Sequence, residues 1–439
     1  MNGARTQGHS RSRARTSWKR LVGLLLSLGL LAPSLARASE SPERVSILTM
    51  GPGDHPFARF GHNAILLEWA AAPGQEQGRA VVYNFGTFAF AGLDGVRDFM
   101  AGNFRYWLSA TTLDRTLNAY SRDRRSLVAQ ELGLSPTERA RLALSLAENL
   151  RPEHRYYDYD YYRDNCSTRV RDALDQLLGG QLERSLRGPG RLSFRAHTLR
   201  LTAGTLWLYG GLDLALGAAT DRPTSRWDEL FLPSELHDVL ASASREQDGK
   251  LSKLVRSERV LLSAARPMPS ATPPERRVGF AATGAALGAA LAVLGELARR
   301  SRAARVGFGA LLSTVGLLLG SLGCIFAGFW AYSRHWSAHQ NLNLLLCPPW
   351  ALALLVFGLG LALGREKLAR RARQVVSLCF GSCVVALLLG LLPLGRQDNL
   401  RMVALLLPVW GGLWLGVHRM LAGLRSTTYT TPTAIARSQ

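Results

Sequence analysis

The stretch RDNCSTRVRD, from Arg163 to Asp172, predicts the start of a helix. Asp164 or Asn165 is a suitable N-cap, which places Cys166 in the first helical turn. A Gly179-Gly180 pair supplies the signal that ends the helix. Between them, apolar residues recur at helical spacing. These are Val170, Ala173, Leu174, Leu177 and Leu178.

Cys166 is the only cysteine before residue 324. A thiol in the first turn of a helix experiences the helix dipole and free backbone N–H groups, and both favour the thiolate. The same N–H groups can receive an oxyanion. We therefore interpret Cys166 as a nucleophile, with a buried structural thiol or an intermolecular disulfide as the alternatives. The other cysteines fall in or beside apolar segments and are interpreted as packing residues: Cys324, Cys347, Cys379 and Cys383.

The N-terminal segment has the three-part pattern of a cleavable signal peptide. A cationic stretch precedes the apolar run LVGLLLSLGLLA, from Leu21 to Ala32, and Ala36-Arg37-Ala38 follows. Cleavage after Ala38 would remove seven basic residues and no acidic residue, which lowers the formal charge from +21 to +14. An uncleaved membrane anchor is the alternative, although the apolar run is short for a spanning helix.

The composition becomes nearly continuously apolar from about Val278 onward. The loops at 299–305 and 364–373 are strongly basic, so the positive-inside rule places them in the cytoplasm. This orientation leaves everything before residue 278 on the outer face, which is also the side that a signal peptide predicts. Five segments have about the length that a bilayer requires: 278–298, 306–329, 342–363, 374–394 and 400–421.

These patterns divide the chain into five parts. The exported part is large enough for its own hydrophobic core, and the proline-rich segment that follows it is typical of an extended linker. The predicted parts are a signal peptide (1–38), a periplasmic domain (39–264), a linker (265–277), a transmembrane helical domain (278–421) and a cytoplasmic tail (422–439).

A nucleophilic cysteine needs a base, and His62 is the strongest candidate. It begins GHNAILLEW, which reads as a strand, and RAVVYNFGTFAF reads as a second strand after a polar turn. The two strands are predicted to pair as a hairpin. A histidine at a strand start is more often structural than catalytic, so this pattern alone leaves both interpretations open.

Two further segments lie outside this pairing. The tyrosine-rich tract RYYDYDYYRD, just before the predicted nucleophile helix, favours a strand and turn packed against the core over a surface near lipid. Ser135 and Glu138 form a capping box that predicts a helix to about Leu150.

Several functional classes are not supported. The sequence has no Gly-x-Ser-x-Gly elbow, no phosphate-binding glycine loop and no His-Glu-x-x-His motif. The basic excess lies largely in the signal peptide and the cytoplasmic loops, so it indicates membrane orientation and no nucleic-acid binding. We expect no cofactor and no metal; His335 and His339 are one helical turn apart but have no carboxylate or thiolate beside them in their loop.

Four motifs in the same order carry a family resemblance over about residues 45–242. A histidine strand, a second strand and an Asn-Cys at a helix start follow the order of the circularly permuted papain-like fold of NlpC-type and lecithin:retinol acyltransferase-like proteins. More closely, the sequence resembles the Lnb family of bacterial lipoprotein N-acyltransferases. The motifs are FARFGHNAILL, YNFGTFAF, RDNCSTRVRD and GLDLALGAATDRPTSRWDELFLPSEL.

The resemblance implies an α+β domain of permuted papain-like fold, followed by an α-helical membrane bundle of about five spans. It implies that Cys166 takes an acyl chain from a phospholipid as a thioester and that His62 is the base. Asn84 would orient His62, with Thr87 as the alternative. The acceptor would be the N-terminal amine of a diacylated lipoprotein, at the periplasmic face of the bacterial inner membrane.

Four other residues are candidate substrate contacts. Arg59 and Arg169 are placed to contact a phosphate, although arginines on helices and loops are usually solvated. His335 and His339, in a predicted outward loop, favour a headgroup or lipoprotein contact, with ordinary interfacial anchoring as the alternative.

Two other functions stay open. The first is a membrane-anchored cysteine hydrolase of the same fold that cuts cell-wall peptide or a lipid ester. The second is a binding module in which Cys166 is structural. Five spans exceed what a tether requires, which favours a lipid substrate.

Overall fold

The computed structural model describes residues 41–428, except for 72, 73, 76, 77, 90, 91, 248 and 393–396. The predicted signal peptide (1–38) lies outside the described residues, as do residues 429–439 of the predicted tail. The described chain consists of a domain built on an antiparallel sheet, followed by a helical bundle.

Seven strands form the main sheet of the domain, and their order is β6-β4-β3-β2-β1-β5-β9. The predicted hairpin is confirmed, since Ile65 lies opposite Tyr83 in an antiparallel register. Two further strands, β7 and β8, pair as a separate hairpin. The strands are β1 (Arg44–Met50), β2 (His62–Glu68), β3 (Ala80–Thr87), β4 (Arg105–Thr112), β5 (Leu127–Leu132), β6 (Tyr156–Asp158), β7 (Ser244–Gln247), β8 (Lys250–Lys253) and β9 (Val255–Leu262).

Helices cover both faces of this sheet, because alternate strand residues point to opposite sides. On one face, Ile47 and Ile65 share a core with the helix that begins at Cys166. On the other, Leu48 and Leu66 pack with the helix that begins at Leu113. The helices of the domain are α1 (Gly92–Ala101), α2 (Leu113–Arg122), α3 (Pro136–Asn149), α4 (Cys166–Leu177), α5 (Gln181–Ser185), α6 (Phe194–Thr202), α7 (Leu206–Ala215), α8 (Arg226–Glu229) and α9 (Pro233–Ser242).

Helix α4 begins at Cys166, as predicted, and Asn165 is its N-cap. The Asn165 Oδ1 accepts hydrogen bonds from the backbone N–H groups of Ser167 (2.8 Å) and Thr168 (3.0 Å). Its Nδ2 donates to the carbonyls of Tyr161 (2.7 Å) and Phe231 (2.9 Å). The buried amide therefore joins the loop before α4, the first turn of α4 and the segment after α8.

Within the described residues, five segments are long and apolar enough to cross a membrane, in agreement with the predicted number. The third segment, Leu342–Ala362, is made of two 3₁₀ turns and a short α-helix, whereas the other four are continuous helices. The helices are α10 (Arg277–Arg300), α11 (Arg302–Tyr332), α12 (Leu354–Ala362), α13 (Glu366–Leu391) and α14 (Leu400–Thr428).

Buried charges join the domain to one end of the bundle. Asp213, at the end of α7, is fully buried and binds both Arg195 of the domain (2.9 Å) and Arg401 of the bundle (3.0 Å). The Asn343 Nδ2 donates to the Asp213 backbone carbonyl at 3.0 Å. The basic segments 299–305 and 364–373, predicted as loops, lie mostly within the ends of α10, α11 and α13. They are at the opposite end of the bundle, because the start of α10 and the residues just after α11 contact the domain. The domain therefore lies at the outer end that the positive-inside rule assigns.

Replacing Asn165 with alanine should destabilise the protein more than removing an ordinary N-cap. The change removes the cap, which contributes about 1 kcal/mol. It also leaves the buried Tyr161 and Phe231 carbonyls without this donor, at a cost of about 1–3 kcal/mol for each group left unsatisfied. We expect Asn165→Ala to lower the thermal unfolding midpoint of the detergent-solubilised protein clearly more than Ser135→Ala, which removes the cap of α3. Equal shifts for the two variants would contradict this role of Asn165.

Candidate active site

Cys166 and His62 meet where the first residue of α4 faces the start of β2. Their side chains are hydrogen-bonded to each other. The Cys166 thiol is largely buried, and the nearby backbone N–H groups of Asn63 and Ser167 favour a negative charge on its sulfur. The structure thus brings the predicted nucleophile and the predicted base into direct contact.

Asn84 lies beside His62, and Thr87 does not share this contact. The His62 Nε2 and the Asn84 Oδ1 are 3.4 Å apart. The Asn84 Nδ2 donates to the Val82 carbonyl at 3.4 Å, which directs the amide oxygen toward the imidazole. Thr87 instead binds the Ser109 hydroxyl at 2.6 Å. Since Nε2 faces Asn84, Nδ1 is the ring nitrogen left for the thiol.

Gly86 makes room for the pair at an irregularity in β3. The register between β3 and β4 shifts between Asn84 and Thr87, and Gly86 has a φ of +93°. A Cβ at this position would lie 3.6 Å from the Cys166 Cβ and 3.9 Å from the His62 Cε1. A larger residue would therefore be strained in its backbone and would fill the space beside both reacting side chains.

The two groups shift each other's pKa toward a thiolate and an imidazolium. Burial alone would raise the pKa of Cys166, but the positive charge of His62, its hydrogen bond and the backbone donors outweigh burial and lower the pKa. Burial alone would lower the pKa of His62, but the charge of Cys166 and the hydrogen bond to it raise the pKa. Both shifts favour the thiolate–imidazolium pair over the neutral thiol and imidazole.

The tyrosine tract places a hydroxyl beside the same pair. As predicted for the tract, it forms a strand and turn, with β6 followed by the loop that leads to Asn165. The Tyr157 Oη is buried and has no hydrogen-bond partner within the described part of the chain. Burial, and then the charge of Cys166, raises the pKa of Tyr157 well above its ordinary value. Its O–H therefore stays protonated and can donate to a bound group.

The two arginines predicted to contact a phosphate bind other side chains of the domain. The Arg59 Nη2 donates to the Thr205 hydroxyl at 2.8 Å. Arg169 pairs with Asp164, and its guanidinium lies 4.2 Å from the centre of the Tyr157 ring.

The two bundle histidines bind backbone carbonyls at the junction. His335 binds the carbonyl of Phe99 at 2.7 Å, and His339 binds that of Ser333 at 2.8 Å.

Within the described residues, no group of three or more histidine, cysteine or acidic side chains is arranged to hold a metal.

A cavity of about 440 Å³ lies beside His62, which forms part of its wall. His62, Asn84 and Gly86 form one part of its wall, and Arg125 forms another.

Arg125 and Tyr157 were not predicted from the sequence, because neither belongs to a motif around the cysteine or the histidine. For Tyr157, the only signal was its place in the tyrosine tract directly before α4.

Residues 33–203 match the family model described as the Lnb N-terminal periplasmic domain. This stretch of the chain is similar to the Lnb N-terminal periplasmic domain. The match confirms the resemblance seen in the motifs, and among the described elements it runs from β1 through α6. The matched residues include His62, Asn84 and Cys166, while the bundle lies outside the match. No curated protein matches the chain, and no solved structure matches it.

The reactivity of Cys166 should show the influence of His62 across pH. Because the pKa of Cys166 is lowered, its alkylation by iodoacetamide should reach half its maximal rate at a pH below that of an ordinary cysteine, which is about 8.5. In His62→Ala the imidazolium is lost and burial remains, so the midpoint should rise above that value. The measurement is the rate of label incorporation at Cys166, read by peptide mass spectrometry over a pH series.

His154→Ala is the matched control for this experiment, since His154 is an exposed histidine of the same domain. It should leave the midpoint where the wild-type protein has it. If His62→Ala also leaves the midpoint unchanged, the two side chains do not form the proposed ion pair.

Proposed function

We propose that this protein is a lipoprotein N-acyltransferase that moves an acyl chain from a phospholipid, through a thioester on Cys166, to the N-terminal amine of diacylated lipoproteins. The observation that carries the proposal is the Cys166–His62 contact at the first turn of α4, with the pKa of Cys166 lowered and that of His62 raised. A thiolate held beside an imidazolium is an activated nucleophile with a proton donor next to it.

In the first half-reaction, the Cys166 thiolate attacks the ester carbonyl carbon of a phospholipid. The carbonyl oxygen becomes an oxyanion near the backbone N–H of Cys166, the first residue of α4, which has no acceptor within the helix. The next two N–H groups, of Ser167 and Thr168, already bind the Asn165 side chain. When the intermediate collapses, the ester C–O bond breaks and the glycerol oxygen takes a proton from His62. The products are a lysophospholipid and an acyl thioester on Cys166.

In the second half-reaction, the α-amine of the lipoprotein attacks the thioester carbonyl carbon. His62, now neutral, accepts a proton from the amine as the C–N bond forms. Collapse of the intermediate breaks the C–S bond and returns the Cys166 thiolate. Asn84 holds the imidazole through Nε2 in both steps, so that Nδ1 stays directed to the reacting atoms.

The position of the domain supports a lipid substrate. Asp213, Asn343 and Arg401 fix the domain to the outer end of a bundle with five candidate spans. In the bacterial inner membrane this is the periplasmic face, where both a phospholipid donor and a lipid-modified N-terminus are within reach. A soluble substrate such as cell-wall peptide would not require this arrangement.

The chain order of the site supports a circularly permuted papain-like arrangement. His62 on β2 and Asn84 on β3 come before the helix that begins with Cys166, whereas a papain-like protease has its cysteine first. The geometric roles of the three side chains do not depend on that order.

The proposal is tested in a bacterial strain that lacks its own lipoprotein N-acyltransferase. Expression of the wild-type protein should add one acyl chain to the N-terminal peptide of a lipoprotein, measured by mass spectrometry. Cys166→Ala should add none, because the thioester cannot form. Cys324→Ala, which removes an exposed thiol from α11, is the matched control and should transfer as the wild type does.

Two results would contradict the proposal in different ways. If the wild-type protein releases fatty acid from phospholipid but adds no acyl chain to the lipoprotein, the protein is a hydrolase. If Cys166→Ala adds the acyl chain as well as the wild type does, Cys166 is not the nucleophile.

A further inference from the structure

We propose that Arg125 binds the phosphate of the phospholipid donor in the cavity beside His62, and so positions the ester for attack by Cys166. This inference rests on the proposed acyl transfer and names the group by which the donor is recognised. It assigns the cavity to the glycerophosphate part of the lipid.

The Arg125 side chain is held in place but keeps an unused donor. It is only 7% exposed, and its Nε donates to the Gly51 carbonyl at 2.8 Å. Its guanidinium lies over the Tyr120 ring, 4.5 Å from the ring centre. The buried Nη2 has no hydrogen-bond partner, and among the described ion pairs none satisfies Arg125 with a carboxylate. A buried guanidinium donor without a partner is costly, and because Arg125 lines the cavity, a bound anion can satisfy it there.

The cavity connects this donor to the catalytic pair. Arg125, His62 and Gly86 line the same space, and Gly86 also borders Cys166. Burial lowers the pKa of Arg125, and the charge of Cys166 opposes this lowering; the charge of Arg125 in turn opposes the rise in the pKa of His62. An anion bound by Arg125 would therefore share a cavity with His62 and with Gly86, which borders Cys166.

The size and walls of the cavity fit a glycerophosphate group. At about 440 Å³ it has the volume of a small-molecule site and is too small for two complete acyl chains. Phe57 and Phe88 form an aromatic edge in its wall, with ring centres 5.8 Å apart, and Phe57 is more than half exposed. This edge can cover the apolar glycerol and the beginning of an acyl chain.

The phosphate of the acyl donor and the amine of the acceptor differ in charge, so Arg125 would favour the donor. A glycerophospholipid carries its phosphate a short chain of glycerol atoms away from the ester carbonyl. The lipoprotein acceptor presents an amine, which is repelled by a guanidinium when it is protonated. The other two arginines do not line the cavity; Arg59 donates to Thr205 and Arg169 pairs with Asp164.

The test measures binding and does not depend on turnover. Full-length protein carrying Cys166→Ala is titrated in detergent with a short-chain phosphatidylglycerol, with the neutral diacylglycerol of the same chains, and with inorganic phosphate. The same titrations are repeated after adding Arg125→Met. Arg122→Met is the matched control, since Arg122 is an exposed arginine at the end of α2.

Arg125→Met should weaken phosphatidylglycerol binding about tenfold or more, because a charge-assisted hydrogen bond is lost. It should leave diacylglycerol binding unchanged, and Arg122→Met should change neither. If Arg125→Met does not fold, Arg125→Lys keeps the charge without the planar fork and should give a smaller loss for the phospholipid alone.

Three outcomes overturn the inference. They are an equal loss for both lipids, no loss for the phospholipid, and inorganic phosphate binding as tightly as the phospholipid. If the protein binds phosphatidylglycerol through Arg125 but transfers no acyl chain in the lipoprotein assay, the proposed function is contradicted. The phosphate site at Arg125 is supported by the same result.

Discussion

The four hydrogen bonds of the Asn165 side chain fix the start of α4, and the candidate site depends on where this helix begins. They connect the first turn of α4 with the carbonyls of Tyr161 and Phe231, which belong to two other segments. Because Asn165 caps α4, it determines where the helix starts and thus where Cys166 lies. His62 and Asn84 reach Cys166 from β2 and β3, so the sheet and the capped helix together create the site.

The same region is tied to the membrane bundle. The Trp336 Nε1 donates to the Asp160 carboxylate at 2.7 Å, and the other Asp160 oxygen accepts from the backbone of Tyr162 and Arg163, just before Asn165. Asp213, with its two arginine partners, forms a second connection. Buried charges are expensive to desolvate, so they are weak evidence for stability. Here they fix the position of the domain on the bundle, which an apolar contact would specify less strictly.

Local signals made much of the fold predictable from the sequence. The start of α4 followed from a capping residue and a helical period, the β2–β3 pair from two strand patterns, and the five spans from their length and apolar composition. The choice between Asn84 and Thr87 did not follow from the sequence. It depends on the irregularity around Gly86, where a shift of register changes which side chain faces His62.

Contacts between distant parts of the chain were not predictable. Arg125 binds the carbonyl of Gly51 and meets His62 only through the folded sheet, and Asp213 meets Arg401 across the junction. No spacing in the sequence reports such contacts. The predicted lipid or lipoprotein contacts of His335 and His339 stay predictions, because both imidazoles bind backbone carbonyls at or beside the junction.

The central claim is that Cys166 itself carries the acyl chain, and direct detection of that intermediate tests it most directly. Full-length protein is incubated with phospholipid in the absence of lipoprotein, quenched in acid, digested and weighed by mass spectrometry. The account predicts that the peptide containing Cys166 gains the mass of one acyl chain and loses it in neutral hydroxylamine, as a thioester does. An unmodified Cys166 peptide, or an acyl chain on another residue, would contradict it.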